Sequence, residues 1–281
     1  MHTKHNTTMT RTDVHSSPPS STSPPALPTV WLGKAMFHAV TEREAIAHVM
    51  SELDAGRGGW VVPMNLDVLR RYEQDASFAE LVAPASLFVA DGMPLIWASR
   101  LQGTPLPERV AGSSMILTVS AEAASRGRSI FMLGGDEGVA DAAAEVLRQR
   151  HPDIRIVGTF CPPFGFEKDP AMMQRIRDIL TAAKPDICYV ALGCPKQEKL
   201  IVELRPLLPA TWWFCVGISF SFVCGRVKRA PRWMQAIGLE WVHRLCQEPR
   251  RLFKRYLLVG VPYAVRLLAG ACRRRLASRP R

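Results

Sequence analysis

Ile130-Phe131-Met132-Leu133-Gly134-Gly135-Asp136-Glu137-Gly138 opens a segment that continues through Val139 to Arg150 and on to Ile154-Arg155-Ile156-Val157. The first run is apolar without interruption, as a strand covered on both faces requires. Val139, Ala142, Ala143, Val146 and Leu147 then recur at helical spacing. Strand, glycine turn, helix, strand is the repeating unit of a parallel sheet.

The same pattern extends outward in both directions. Trp60-Val61-Val62 and Leu87-Phe88-Val89-Ala90 precede it; Ile187-Cys188-Tyr189-Val190-Ala191-Leu192 and Trp212-Trp213-Phe214-Cys215-Val216 follow, with helix-length segments between. The expected fold is an open α/β sandwich, a Rossmann-like parallel sheet between helical layers. Three regions follow: a Ser/Thr/Pro-rich leader over 1–29, too poor in aliphatic residues to offset its ordering entropy; an α/β catalytic domain over 30–225; and a basic helical appendage over 226–281.

The charge is distributed unevenly. The appendage carries 15 of the 36 Lys and Arg residues and two acids, Glu240 and Glu248, so it is +13 while the rest of the chain is −2. A polyanionic partner is implied: nucleic acid, an anionic membrane surface or clustered phosphates. Apolar residues such as Leu257, Leu258, Leu267 and Leu268 interleave with the charges, which makes the segment amphipathic. Tyr256 to Cys272 contains Pro262 and Arg266 and reads as lying on a membrane, since a crossing helix needs about twenty apolar residues. The leader has no apolar core of a secretory signal. Seven cysteines without a CxxC pair read as buried, reduced thiols, and neither HExxH nor Asp-x-Asp occurs, so no metal is expected.

In a sheet of this kind ligands bind at the carboxyl ends of the strands. Asn65, Asp91-Gly92, Gly134-Gly135, Lys196-Gln197-Glu198 and Gly217 all follow strand runs and therefore share one edge. Asp91 there could act as a general base, although position alone favours a helix cap, for which Asp is preferred. Gly134-Gly135 has the form of a phosphate-facing turn but lacks a full GxGxxG. Arg109 could hold a diphosphate through its guanidinium or pair with neighbouring Glu108. Glu198 could complement the dipole of the helix that opens after Pro195.

Two further classes are consistent with parts of this pattern. A nucleotide- or nucleic-acid-binding protein would account for the basic tail, but not for the acidic body or the long apolar stretches. An NAD(P)-linked oxidoreductase rests on Gly134-Gly135 alone.

Seven fragments in order extend the pattern: Asn65, Asp91-Gly92, Glu108-Arg109-Val110-Ala111-Gly112, Leu133-Gly134-Gly135, Leu192 to Glu198, Arg229-Ala230-Pro231, and Leu239 to Arg251. From about Trp31 to Tyr256 the chain resembles the WecG/TagA/CpsF family of glycosyltransferases. The Pro-Pro-Phe-Gly-Phe stretch at Pro162 to Phe166 resembles the branch working in exopolysaccharide assembly.

The resemblance implies inverting transfer, without cofactor or metal, from a UDP-sugar to a polyprenyl-diphosphate-linked saccharide at the inner face of the cytoplasmic membrane. By position it implies Asp91 as the base, with Asn65, Arg109 and Gln197 orienting substrate; Gly134, Gly135, Lys196 and Glu198 join the pocket by their place at the strand ends. Arg244, Arg251 and Lys254 of the appendage would close on the diphosphate, while the appendage also holds an anionic membrane surface. No nucleic-acid partner is implied, and a homo-oligomer whose tails serve neighbouring sites is open. Pro63 and Ser221 depart from the family's Thr and Asp, and Lys254 lacks the bidentate geometry of Arg.

Overall fold

The structure, a computed structural model, describes residues 26–277. The expected leader therefore lies outside the described residues except at its end, where Thr29 opens a strand. The strands are β1 (Thr29–Leu32), β2 (Ala35–His38), β3 (Gly59–Met64), β4 (Leu87–Ala90), β5 (Ser129–Gly134), β6 (Arg155–Phe160), β7 (Ile187–Ala191) and β8 (Trp212–Cys215). β1 and β2 form an antiparallel hairpin. The other six form one parallel sheet in the order β4-β3-β8-β7-β5-β6.

All six expected runs are strands of this sheet. Successive side chains point to opposite faces, and each face has its own core. Trp60, Val62, Phe88, Phe131, Val190 and Trp213 pack on one side; Val61, Val89, Met132, Tyr189, Trp212 and Phe214 pack on the other. Burial on both faces explains runs that are apolar rather than alternating. β6 is different: an edge strand, it begins at Arg155, runs on to Phe160 and is partly exposed, whereas the other edge, β4, is covered by β2 and buried. Pro63 is tolerated in β3 because pairing with β8 ends at Val61↔Phe214, so only β4 flanks the strand there.

The basic appendage is not detached from this body. Pro249 to Ala277 is one continuous helical stretch, with a π-helical section at Lys254–Gly260. Pro262 follows that section, and in a regular helix its ring would crowd the carbonyl four residues earlier, at Leu258; the wider π turn relieves this. Tyr263, Leu267 and Ala271, spaced four apart on one face, join the core on the side of the helices Leu66–Gln74 and Met93–Gln102. Tyr263 Oη donates to Glu73 at 2.7 Å and Arg274 to Gln102 at 2.6 Å, fixing the register of that helix. Cys188 and Cys215 are buried strand thiols as expected, whereas Cys246 and Cys272, on the appendage, are exposed.

Candidate active site

Asp91 follows β4 directly and does not cap the next helix. Gly92 is the cap residue, at φ 150 and ψ 140, and no side chain caps Met93–Gln102. The capping expectation is thereby corrected: the cap falls on Gly92, whose positive φ suits a glycine, and Asp91 stays with the strand end. Burial pushes its carboxyl up to about 6; Arg109 and Arg229 oppose the shift, Glu240 adds to it, and the Gly112 backbone N–H favours the charged form. A Cβ at Gly112 would stand 3.1 Å from the Cys215 carbonyl oxygen, a tight fit that β8 would have to yield to.

Arg109 does not pair with Glu108, whose carboxylate instead accepts from the Glu42 backbone N–H at 2.6 Å. Its Nη1 donates to Glu240 Oε2 at 2.6 Å and its Nη2 reaches Gln235 Oε1 at 3.4 Å. Arg229 approaches the other oxygen of Glu240 at 3.4 Å and donates to the Ser113 carbonyl at 3.3 Å. Two guanidiniums thus share one carboxylate beside Asp91.

The other expected residues divide into three groups. Asn65 caps the helix Leu66–Gln74: its Oδ1 accepts from the Asp67 and Val68 N–H groups, which leaves its NH2 as the group able to meet a ligand. Gly134 and Gly135 have φ of +97 and +85, but Gly135 N–H is spent on the Ala191 carbonyl at 2.7 Å. That N–H cannot cradle a phosphate in this arrangement, which corrects part of the turn's expected role.

Lys196 pairs with Glu167 at 2.7 Å and lies 4.7 Å over the ring of Phe164. Gln197 and Glu198 turn inward from the first helical turn and are 6% and 1% exposed. Gln197 Nε2 donates to Glu198 Oε1 at 3.0 Å, and burial raises the Glu198 carboxyl. Of this expected pocket trio only Lys196 stands at the surface, because the next two positions face the core beside Cys194 and Cys215.

The nearer part of the appendage crosses the carboxyl edge of the sheet. Arg255 pairs with Asp67 at 3.2 Å, in the helix after β3; Arg244 lies 5.7 Å over Phe222, in the helix after β8; and Glu240 meets Arg109, after β4. Arg244 and Arg251 both bind Glu248, at 3.1 and 2.6 Å. Lys254 is exposed, with no ion-pair partner among the described residues. The chain's own tail covers its own site.

A family model described as "Glycosyl transferase WecG/TagA/CpsF family" matches residues 30–277. The chain belongs to this family. As a WecG/TagA/CpsF glycosyltransferase it is 30% identical over 199 residues to an N-acetylglucosaminyldiphosphoundecaprenol N-acetyl-beta-D-mannosaminyltransferase of Bacillus spizizenii, spanning 71% of this chain and 75% of that protein. A protein of the same description from Bacillus subtilis is 29% identical over 216 residues, 77% of this chain and 81% of that protein. Among the described residues of this glycosyltransferase, no group of three or more His, Cys, Asp or Glu side chains could hold a metal ion.

Arg229, Gln235 and Glu240 were not assigned to the site from sequence. Arg229 and Glu240 fall inside quoted motifs, Arg-Ala-Pro and Leu-Glu-Trp. Nothing in their spacing shows that they converge more than a hundred residues away on Arg109.

Proposed function

We propose that this glycosyltransferase moves a sugar from a UDP-sugar to a polyprenyl-diphosphate-linked saccharide, with inversion and without a metal. The observation that carries the reading is Asp91, a largely buried carboxylate raised to about 6 and flanked by Arg109 and Arg229. The acceptor hydroxyl attacks the anomeric carbon of the donor while Asp91 takes its proton. The bond from that carbon to the diphosphate breaks on the opposite face, and UDP leaves with the electron pair. A carboxyl poised near 6 is a stronger base than an ordinary one yet still ionised at neutral pH. The guanidiniums supply positive charge where the leaving group accumulates negative charge.

The activity of the two Bacillus relatives supports an N-acetylhexosamine donor, with N-acetylmannosamine first, and an undecaprenyl-diphosphate N-acetylglucosamine acceptor. The Pro162 to Phe166 stretch supports exopolysaccharide assembly as the setting. We place the protein on the cytoplasmic face of the membrane, lying on it. Pro249 to Ala277 is long and apolar enough to cross by length and composition, but Tyr263, Leu267 and Ala271 are held in the protein core. A helix packed along a globular body cannot thread the bilayer without leaving it.

The test is UDP release from a panel of UDP-sugars with a defined lipid-diphosphate-sugar acceptor, with and without a chelator. Chelator-resistant release with an N-acetylhexosamine donor is expected. Release dependent on added divalent metal, or turnover with no UDP-sugar, would overturn the reading.

A further inference from the structure

Glu240 gathers charges from three separate parts of the chain. Arg109 comes from the loop between the helices Met93–Gln102 and Gly112–Ser125, Arg229 from the segment after the helix Ser219–Val223, and Glu240 itself from the first turn of the helix Glu240–Gln247. The side chains of Arg109, Arg229 and Glu240 are 18%, 22% and 17% exposed. Each guanidinium takes a different oxygen of the carboxylate. Two guanidiniums each holding one oxygen of a shared anion is also how a phosphate group is bound.

A bridge of this kind contributes little stability on its own, since desolvation offsets most of its attraction. Its position is more informative. It stands against Asp91, whose ionisation responds to all three side chains. It also joins the body of the enzyme, through Arg109, to the segment that carries Arg244 and Arg251.

We propose that Arg109 and Arg229 are the pair that binds the substrate's diphosphate and that Glu240 is a built-in surrogate anion, displaced when the diphosphate enters. This rests on the glycosyltransferase reading above only for the identity of the diphosphate. A diphosphate and a carboxylate cannot share two guanidiniums without strong mutual repulsion. Entry of substrate therefore moves the first turn of the helix Glu240–Gln247. Arg244 rides on that helix and Arg251 on the next, so the exchange couples donor binding to the placement of the lid.

The experiment is calorimetric titration of inorganic pyrophosphate and of UDP into the full chain. Wild type is compared with Glu240→Gln, which keeps the shape and removes the charge, and with Glu240→Asp, which keeps the charge. Glu240→Ala serves as a second neutral variant, and melting curves verify the fold of each. Removing the competing carboxylate should tighten pyrophosphate and UDP by about tenfold in both neutral variants, whereas Asp should stay within about twofold of wild type. Arg229→Gln should weaken both ligands by about tenfold.

Unchanged or weaker binding in folded Glu240→Gln or Glu240→Ala overturns the proposal, as does unchanged binding in Arg229→Gln. Pyrophosphate binding that follows this pattern while no UDP-sugar is turned over supports the latch and rejects the donor reading. UDP-sugar turnover with pyrophosphate affinity unmoved by loss of the carboxylate does the reverse.

Discussion

Asp91 carries opposing demands that can be measured separately. In its proposed role as the base it must be ionised, so kcat/KM should fall with unit slope below about pH 6. Asp91→Asn should lose about 10²–10⁴-fold in turnover and lack that acid limb, while retaining UDP binding. Near-normal turnover in the variant would remove Asp91 from the mechanism. Stability moves the other way. A carboxyl raised from its ordinary 3.8 to about 6 binds its proton more tightly in the folded protein, so it favours folding most below pH 3.8 and loses that contribution as pH rises through 6. Denaturant titration at pH 8 should therefore find Asp91→Asn more stable than wild type, by up to about 3 kcal/mol. The position of Asp91 at a strand end is legible in the sequence. Its release from capping is not, because that depends on the backbone at Gly92. Arg109 is legible as a site residue too, but its partner, Glu240, lies 131 residues away in a segment whose path no local pattern specifies.

Elements of the sheet are well marked by composition because each strand is covered on both faces, and six apolar runs predict six strands. The hairpin β1–β2 escapes this reading. Its strands have four residues each and cover a sheet edge, β1 being mostly exposed and β2 alternating in burial, so they give no continuous apolar run. The turn after β5 has a packing role that composition alone does not show. Gly134 and Gly135 look like a phosphate cradle, yet Gly134 is needed because a Cβ there would stand 2.8 Å from the Ala191 carbonyl oxygen, at a φ of +97. Gly134→Ala should cost at least about 1–3 kcal/mol by chemical denaturation, from strain at positive φ plus that contact. The helix Val261–Ala277 gives a parallel case. Its basic residues suggest a surface anchor, but Leu267 is 5% exposed and packs in the core. Leu267→Ala should cost about 2–4 kcal/mol, whereas a purely peripheral helix would lose almost nothing.

Over the whole molecule, the +13 appendage does two things at once: its nearer part closes over the carboxyl edge of the sheet and its farther part lies along the body with one face outward. That outer face exposes Phe253, Leu258, Val261, Val265 and Leu276, with basic residues at both ends of the helix, Arg250, Arg251 and Lys254 at one and Arg273, Arg274 and Arg275 at the other. Binding to phosphatidylglycerol vesicles should weaken as salt rises and be largely lost in Leu258→Glu/Val265→Glu, with melting unchanged, because both side chains are 61% exposed. Truncating the helix would confound this test by uncovering core. Sequence order is enough to specify the layers, the strand-end placement of the polar loops and the concentration of positive charge, because periodicity and composition are local properties of the chain. Folding alone settles which of those charges meet. The return of the appendage in cis, the bridge from Arg109 and Arg229 to Glu240, and the inward turn of Gln197 and Glu198 all arise from packing between segments far apart in sequence, where shape complementarity and desolvation select among partners that local pattern leaves equivalent.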